Sequence, residues 1–172
     1  MVRAHKAPQR PIDIEGTCPY DSGNVQKYST KCVWPVTEYK TWHDADIDCG
    51  RKAAHLGGHI KGYLMSIHSV HDIEFVQNMI SSSIWIGLTT NRADGWMWSD
   101  GTAVQVRANS ADSPLLPEHL IITKFQFTQW TKGEPSSDEE NCVEMYQNGF
   151  WNDAKCSLTK GFQIFLNQRA FA

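Results

Sequence analysis

Five cysteines, Cys18, Cys32, Cys49, Cys142 and Cys156, limit the folds open to this chain more than any other feature. No two of them form a C-x-x-C pair, which argues against a zinc ribbon or a thioredoxin-type redox site. Disulfides formed in an oxidising compartment are the better reading, so the protein is expected to be secreted or extracellular, or the ectodomain of a membrane protein. The number is odd, so at least one thiol has no partner within the chain. The stretch from Met1 to Thr17 holds basic residues and two prolines but no apolar core of a signal peptide, and the chain reads as a mature or excised piece.

At 172 residues the chain is long enough for one ordinary domain. A formal charge of -3 provides no net positive field for nucleic acid or an anionic membrane. With 41% hydrophobic and 20% charged residues it can bury a core. Its longest apolar runs, such as Leu120-Ile121-Ile122, fall far short of the roughly 20 residues that a helix needs to span a bilayer. Seven Trp, seven Phe and twelve Gly indicate a loop-rich fold built around bulky rings.

Residues 1–17 read as a tail or linker, 18–166 as the domain and 167–172 as a C-terminal tail. Thr41 followed by Asp44 has the spacing of an N-terminal capping pair, and Trp42, Ala45, Cys49 and Ala53 recur at helical steps until Gly57-Gly58. Ser69 and Asp72 repeat the signal ahead of Ile73, Phe75, Val76, Met79 and Ile80. Strand-like runs follow at Ile84 to Leu88, Gly95 to Trp98, Cys142 to Tyr146, Gly149 to Trp151 and Phe162 to Leu166. Helices first and hairpins afterwards make an α+β order. The stretch from Ala103 to Phe127 reads as a long loop insert, functional or disordered.

The densest chemistry lies in Glu134-Pro135-Ser136-Ser137-Asp138-Glu139-Glu140-Asn141-Cys142 and in Trp151-Asn152-Asp153. Calcium takes six to eight oxygen ligands, and Glu134, Glu140, Asn152 and Asp153 could supply most of a shell. A solvated acidic loop would have the same composition.

The joint pattern of Trp85-Ile86-Gly87-Leu88, Trp96-Met97-Trp98-Ser99-Asp100-Gly101, Trp130-Thr131-Lys132-Gly133-Glu134-Pro135-Ser136, Glu140-Asn141-Cys142-Val143 and Trp151-Asn152-Asp153-x-x-Cys156 resembles the C-type lectin-like domain. The resemblance runs in order from Cys18 to about Leu166. It implies two helices packed on small antiparallel sheets with a long ligand-binding loop region. It also implies bridges between Cys18 and Cys32, as in the long form of the domain, and between Cys142 and Cys156. In sugar-binding members one Ca²⁺ holds two vicinal sugar hydroxyls, and the ligands of the metal also read the sugar. Carried over position by position, those ligands are Glu134, Ser136, Glu140, Asn152 and Asp153, with Pro135 in the cis form. The Glu before the proline resembles the mannose-type version of the motif.

Two positions depart from the pattern. Ser136 stands where the family usually has Asn or Asp, and a shorter hydroxyl weakens the claim on both metal and sugar. The cysteine of the first helix, here Cys49, has lost its partner on the last strand, where Phe165 or Ile164 now stands. A bridge closing so long a loop is worth roughly 4–5 kcal/mol in the chain-entropy model. Cys49 is expected to be a buried unpaired thiol rather than a link between chains or a nucleophile, with Phe162, Ile164 or Phe165 holding the strand by packing. Asn141 occupies a position where members with an auxiliary Ca²⁺ often have Asp.

His55 and His59 are separated by Gly57-Gly58, so a helical zinc face is not expected, and His68 and His71 read as surface or packing residues. Trp85, Trp96, Trp98, Trp130 and Trp151 suit a core. No nucleophile elbow, phosphate loop or metalloprotease motif is present, so an enzyme is not expected. The leading function is calcium-dependent binding of mannose-type sugars on glycans or glycoproteins, with oligomers supplying avidity. A lectin-like domain that binds a protein ligand independently of sugar is the alternative.

Overall fold

The structure, a computed structural model, describes residues 18, 25–28, 31–56, 60–91, 95–102, 104 and 127–168. The expected N-terminal tail, the Gly57-Gly58 stop, His59, nearly all of the 103–127 insert and residues 169–172 of the C-terminal tail lie outside the described residues. The elements in chain order are β1 (Gln26–Tyr28), β2 (Lys31–Lys40), α1 (Trp42–Leu56), β3 (Ile60–Leu64), α2 (Val70–Gln77), β4 (Ile84–Thr90), β5 (Trp96–Trp98), β6 (Cys142–Met145), β7 (Trp151–Ala154) and β8 (Lys160–Gln168). The fold is α+β; β4 to β8 follow the helices as expected, while β1 and β2 precede them and β3 separates them. Pro35 within β2 and Gly62 within β3 conceal those strands from a pattern reading, because both residue types are poor in strand interiors.

The strands form one eight-stranded mixed sheet, not the small antiparallel sheets expected. Its order is β1-β2-β8-β4-β6-β7, with β3 on β8 and β5 on β4. Strand β8 pairs β2 along one edge, Trp34 opposite Ile164. Along its other edge it meets β4 in parallel at Phe162 and Trp85, then β3 in antiparallel at Ile164 and Leu64. Strand β7 ends the sheet on the far side.

Both helix starts are capped as their sequences predict. Thr41 Oγ1 accepts from the Asp44 N–H at 3.3 Å, and Ser69 Oγ accepts from the Asp72 N–H at 3.2 Å. Helix α2 stops at Gln77, short of Ile80, and the chain turns at Asn78 and Met79. The last hairpin also starts later than the run Gly149 to Trp151 suggests. Gly149 sits in the turn at φ 85°, where a Cβ would come within 2.5 Å of Ile73, and β7 begins at Trp151.

Helix α1 buries Trp42, Ala45, Cys49 and Ala53, as the stripe predicts, and also Asp48. That buried carboxylate is held by Lys52 at 3.0 Å, Arg51 at 3.3 Å and Lys40 at 3.4 Å. Strand β3 crosses close to this face, and a Cβ on Gly62 would collide with the Cys49 carbonyl and lie 2.7 Å from Ala53 Cβ. Such overpacking typically costs 1–3 kcal/mol, so Gly62→Ala should lower the unfolding free energy by about 2 kcal/mol in denaturant titration.

Period-two alternation divides β8 between two apolar clusters. Phe162, Ile164 and Leu166 share the cluster of Cys49, Trp42 and Trp85, whereas Phe165 joins Val33, Met65 and Trp151 in the other. Phe165 therefore cannot fill the space beside Cys49, and the residues that pack there are Phe162, Ile164 and Leu166. Cys18 is joined to Cys32, and Cys142 to Cys156, while Cys49 is free and fully buried. Burial pushes the Cys49 thiol well above its usual value, with the nearby Asp46 and Asp48 acting in the same direction. A thiol reagent should label no cysteine of the native protein, and one after unfolding without reductant, counted by mass spectrometry. Rapid native labelling or a disulfide-linked dimer would contradict this arrangement.

Candidate functional site

Two segments meet at the outer edge of β7. The first is the loop around Glu134 to Glu140, which is fixed to the strand before it reaches the polar residues. Trp151 N–H donates to the Gln129 carbonyl at 2.7 Å, and Thr131 N–H donates to the Trp151 carbonyl at 2.8 Å. Trp130 packs edge-on to Trp151 and lies 5.2 Å from Trp96, ring centre to ring centre. A turn then returns the Glu134 N–H to the Thr131 carbonyl at 2.9 Å, through Gly133 at φ 95°. The Glu134–Pro135 peptide is cis.

Asp153 is the organising group. It is fully buried, and its carboxylate accepts from the Ser136 N–H at 3.1 and 3.2 Å and from the Ser137 N–H at 3.2 Å. Burial alone would raise its pKa, but the Glu134 carboxyl and these two N–H groups outweigh it and hold Asp153 below the ordinary range. Glu134 responds in the opposite sense. The Asp153 carboxyl beside it pushes it up, the Ser136 hydroxyl opposes that, and Glu140 adds to the rise from farther away. The Oε2 of Glu134 is buried with no hydrogen-bond partner.

The structure thus brings Glu134, Ser136 and Asp153 together, with Asn152 next along the strand and Glu140 within electrostatic reach. The carboxylates of Glu134, Glu140 and Asp153 do not all come within 4.8 Å of one another, so the closed pair is Glu134 with Asp153. Asn152 and Asp153 lie on opposite faces of β7, as neighbours in a strand must. Only a point beyond the edge of the sheet is accessible to both side chains. Two adjacent carboxylates and an orphaned buried oxygen are stable together when they share a proton or face a cation. All the donors are hard oxygens, which fits Ca²⁺ and gives no preference to a thiophilic metal. His43 lies beside Cys142 and Cys156, but those two sulfurs are bonded to each other and offer no thiolate ligand.

Two residues at the site were missed from the sequence. Glu144 is buried on β6 opposite Asn152 and accepts from its Nδ2 at 3.2 Å, and Lys160 pairs with Glu144 at 2.8 Å. The available signal was a carboxylate in the otherwise apolar strand Cys142-Val143-Glu144-Met145.

Comparison with known proteins follows the same residues. Residues 38–162 match the family described as the Lectin C-type domain. The chain is 32% identical over 152 residues to lactose-binding lectin l-2 of Anguilla japonica, covering 84% of this chain and 75% of that protein. It is 33% identical over 138 residues to CD209 antigen-like protein 2 of Macaca mulatta, covering 77% of this chain but only 43% of that longer protein. Among solved structures, a calcium-independent type II antifreeze protein shares the fold with a TM-score of 0.65 at 20% identity, over 87% of this chain and 93% of its own.

The Asp153 clamp has a direct test. Asp153→Ala removes the acceptor of two backbone N–H groups and should accelerate hydrogen exchange at Ser136 and Ser137 by tenfold or more. That corresponds to about 1–3 kcal/mol for the lost charge-assisted bonds. Unchanged exchange at both amides would show that the loop is held by other contacts.

Proposed function

The chain belongs to the Lectin C-type domain family, a family of binding proteins rather than enzymes, and on that premise we propose that it binds carbohydrate through a calcium ion held at the edge of β7. The observation that supports this most directly is the Glu134–Asp153 pair, two carboxyl groups in mutual contact with one buried oxygen unpartnered. Glu134, Ser136, Glu140, Asn152 and Asp153 are the residues that would hold the ion. Bound there, Ca²⁺ offers open coordination positions to two vicinal hydroxyls of a sugar. The carboxylates of Glu134 and Glu140 would accept hydrogen bonds from those hydroxyls. Both amide protons of Asn152 are engaged with protein oxygens in this structure, so its free Oδ1 is an acceptor.

The Glu-Pro-Ser sequence places a carboxylate ahead of the cis peptide, and this supports the mannose-type preference for equatorial 3- and 4-hydroxyls. Ser136 anchors the loop through its backbone N–H, while its hydroxyl is short, which supports a weak monovalent site. Useful avidity then requires several copies of the domain or a multivalent glycan. Two disulfides favour an oxidising, extracellular setting. No helix among the described residues is long and apolar enough to cross a membrane.

A glycan array probed with and without EGTA tests the proposal. Mannose-type glycans should be retained in Ca²⁺ and lost in EGTA, Asp153→Ala should abolish binding, and Ser136→Asn should strengthen it several-fold. Millimolar Ca²⁺ should raise the melting temperature, since a ligand at 100 times its Kd adds about 2.7 kcal/mol to the folded state. Glycan binding unchanged by EGTA would overturn the metal site, and binding of a protein ligand without any glycan would favour the alternative.

A further inference from the structure

The row of side chains running inward from Asn152 across the sheet has no part in the ligand set. Asn152 on β7 stands opposite Glu144 on β6, and Glu144 stands opposite Trp85 on β4, so the three side chains lie on one face. Glu144 is 5% exposed. Its Oε1 accepts from Asn152 Nδ2 at 3.2 Å, and its Oε2 lies 2.8 Å from Lys160 Nζ. Lys160 is itself mostly covered and stands 5.3 Å from the centre of the Trp85 ring. The second hydrogen of Asn152 Nδ2 goes to the Asp153 carbonyl at 2.6 Å.

We infer that Glu144, oriented by Lys160, is a positioning residue that sets which end of the Asn152 amide faces the binding site. The inference rests on the calcium-site reading above and adds to it a residue outside the ligand set. The two ends of an amide are chemically opposite, one a double donor and the other an acceptor. Ion-paired to Lys160, Glu144 is a carboxylate and presents oxygens only, so it selects the Nδ2 end. The Asp153 carbonyl makes the same selection. Oδ1, the end useful to a cation, is thereby directed outward before any ligand arrives. Preorganisation of this kind is what outer partners of metal ligands generally supply, and losing one typically costs 10–100-fold in affinity.

The same logic gives an unusual prediction for the isosteric variant. Lys160 donates only, so in Glu144→Gln it would take the new amide oxygen and leave the new NH₂ facing Asn152. A donor there selects Oδ1, and the Asn152 amide reverses. Adding Lys160→Met frees the glutamine oxygen to accept from Asn152 Nδ2 again. The Ca²⁺ affinity by calorimetry should therefore fall about tenfold in Glu144→Gln. It should recover in Glu144→Gln/Lys160→Met, whereas a merely structural role predicts that the double variant is no better than the single one.

A second readout needs no metal. In the metal-free wild-type chain, NMR should show the Asn152 side-chain NH₂ exchanging slowly with solvent, and Glu144→Gln should shift that resonance and speed its exchange. An Asn152 NH₂ exchanging at the rate of a free amide in the wild-type chain would overturn the inference whether or not the variants fold. So would a Glu144→Gln variant that binds Ca²⁺ as the wild type does. If the wild type bound no Ca²⁺ while its Asn152 NH₂ was protected and became exposed in Glu144→Gln, the positioning would stand and the calcium reading alone would fall.

Discussion

Strand β8, formed near the end of the chain, pairs with three strands laid down much earlier, β2 and β3 along Trp34 and Leu64, and β4 at Trp85. Its alternating side chains serve two clusters at once, Phe162, Ile164 and Leu166 beneath α1 and Phe165 on the opposite face. Neither half of the domain can bury its apolar face without this strand, because β2 and β3 do not pair with β4, β6 and β7 except through it. Such long-range pairing carries a loop-closure cost that packing has to offset. The family pattern ties this strand to the first helix covalently, and here Cys49 remains a free thiol at that place.

What stands in for the covalent tie is close apposition. Strand β3 lies against α1 so tightly that only glycine fits at position 62, and Cys49 is sealed between that strand and the side chains of β8. On the same helix, buried Asp48 is surrounded by Lys40, Arg51 and Lys52, while Glu38 bonds Lys40 and Lys52 at 2.8 Å each. Hydrogen bonds from those two lysines lower the Glu38 pKa to about 2. A buried charge of this kind is better evidence of a specified register between β2 and α1 than of net stability.

The candidate site occupies the opposite end of the sheet, and its position follows from the edge. A strand inside a sheet presents its neighbours to opposite faces, where they cannot share a ligand. Beyond the edge strand β7, Asn152 and Asp153 can approach one point from two sides. The aromatic clamp of Trp130, Trp151 and Trp96 brings the Glu134 loop to that point, and Asp153 closes it through the N–H groups of Ser136 and Ser137. The Cys142–Cys156 bridge joins the start of β6 to the chain just beyond β7, which keeps Glu140 and Asp153 at one end of the hairpin.

Much of this was readable from local pattern, because its causes are local. The Thr41–Asp44 and Ser69–Asp72 caps, the buried stripe of α1 and the run Ile84 to Leu88 depend on residues within a few positions of one another. The ligand-type residues Glu134, Glu140, Asn152 and Asp153 were identifiable by their chemistry and order. Tertiary structure alone decided the rest. Period-two alternation sent Phe165 away from Cys49, since which face of β8 meets α1 depends on a register set by distant strands. Strands β2 and β3 escaped notice because Pro35 and Gly62 look wrong for a strand until their partners are known. Glu144 and Lys160 are 16 residues apart in the chain and gain a role only when β8, β4, β6 and β7 are assembled in that order in one sheet. Composition and order along the chain determined which groups could bind. Their spatial convergence, which depends on long-range strand pairing, determined which of them act together.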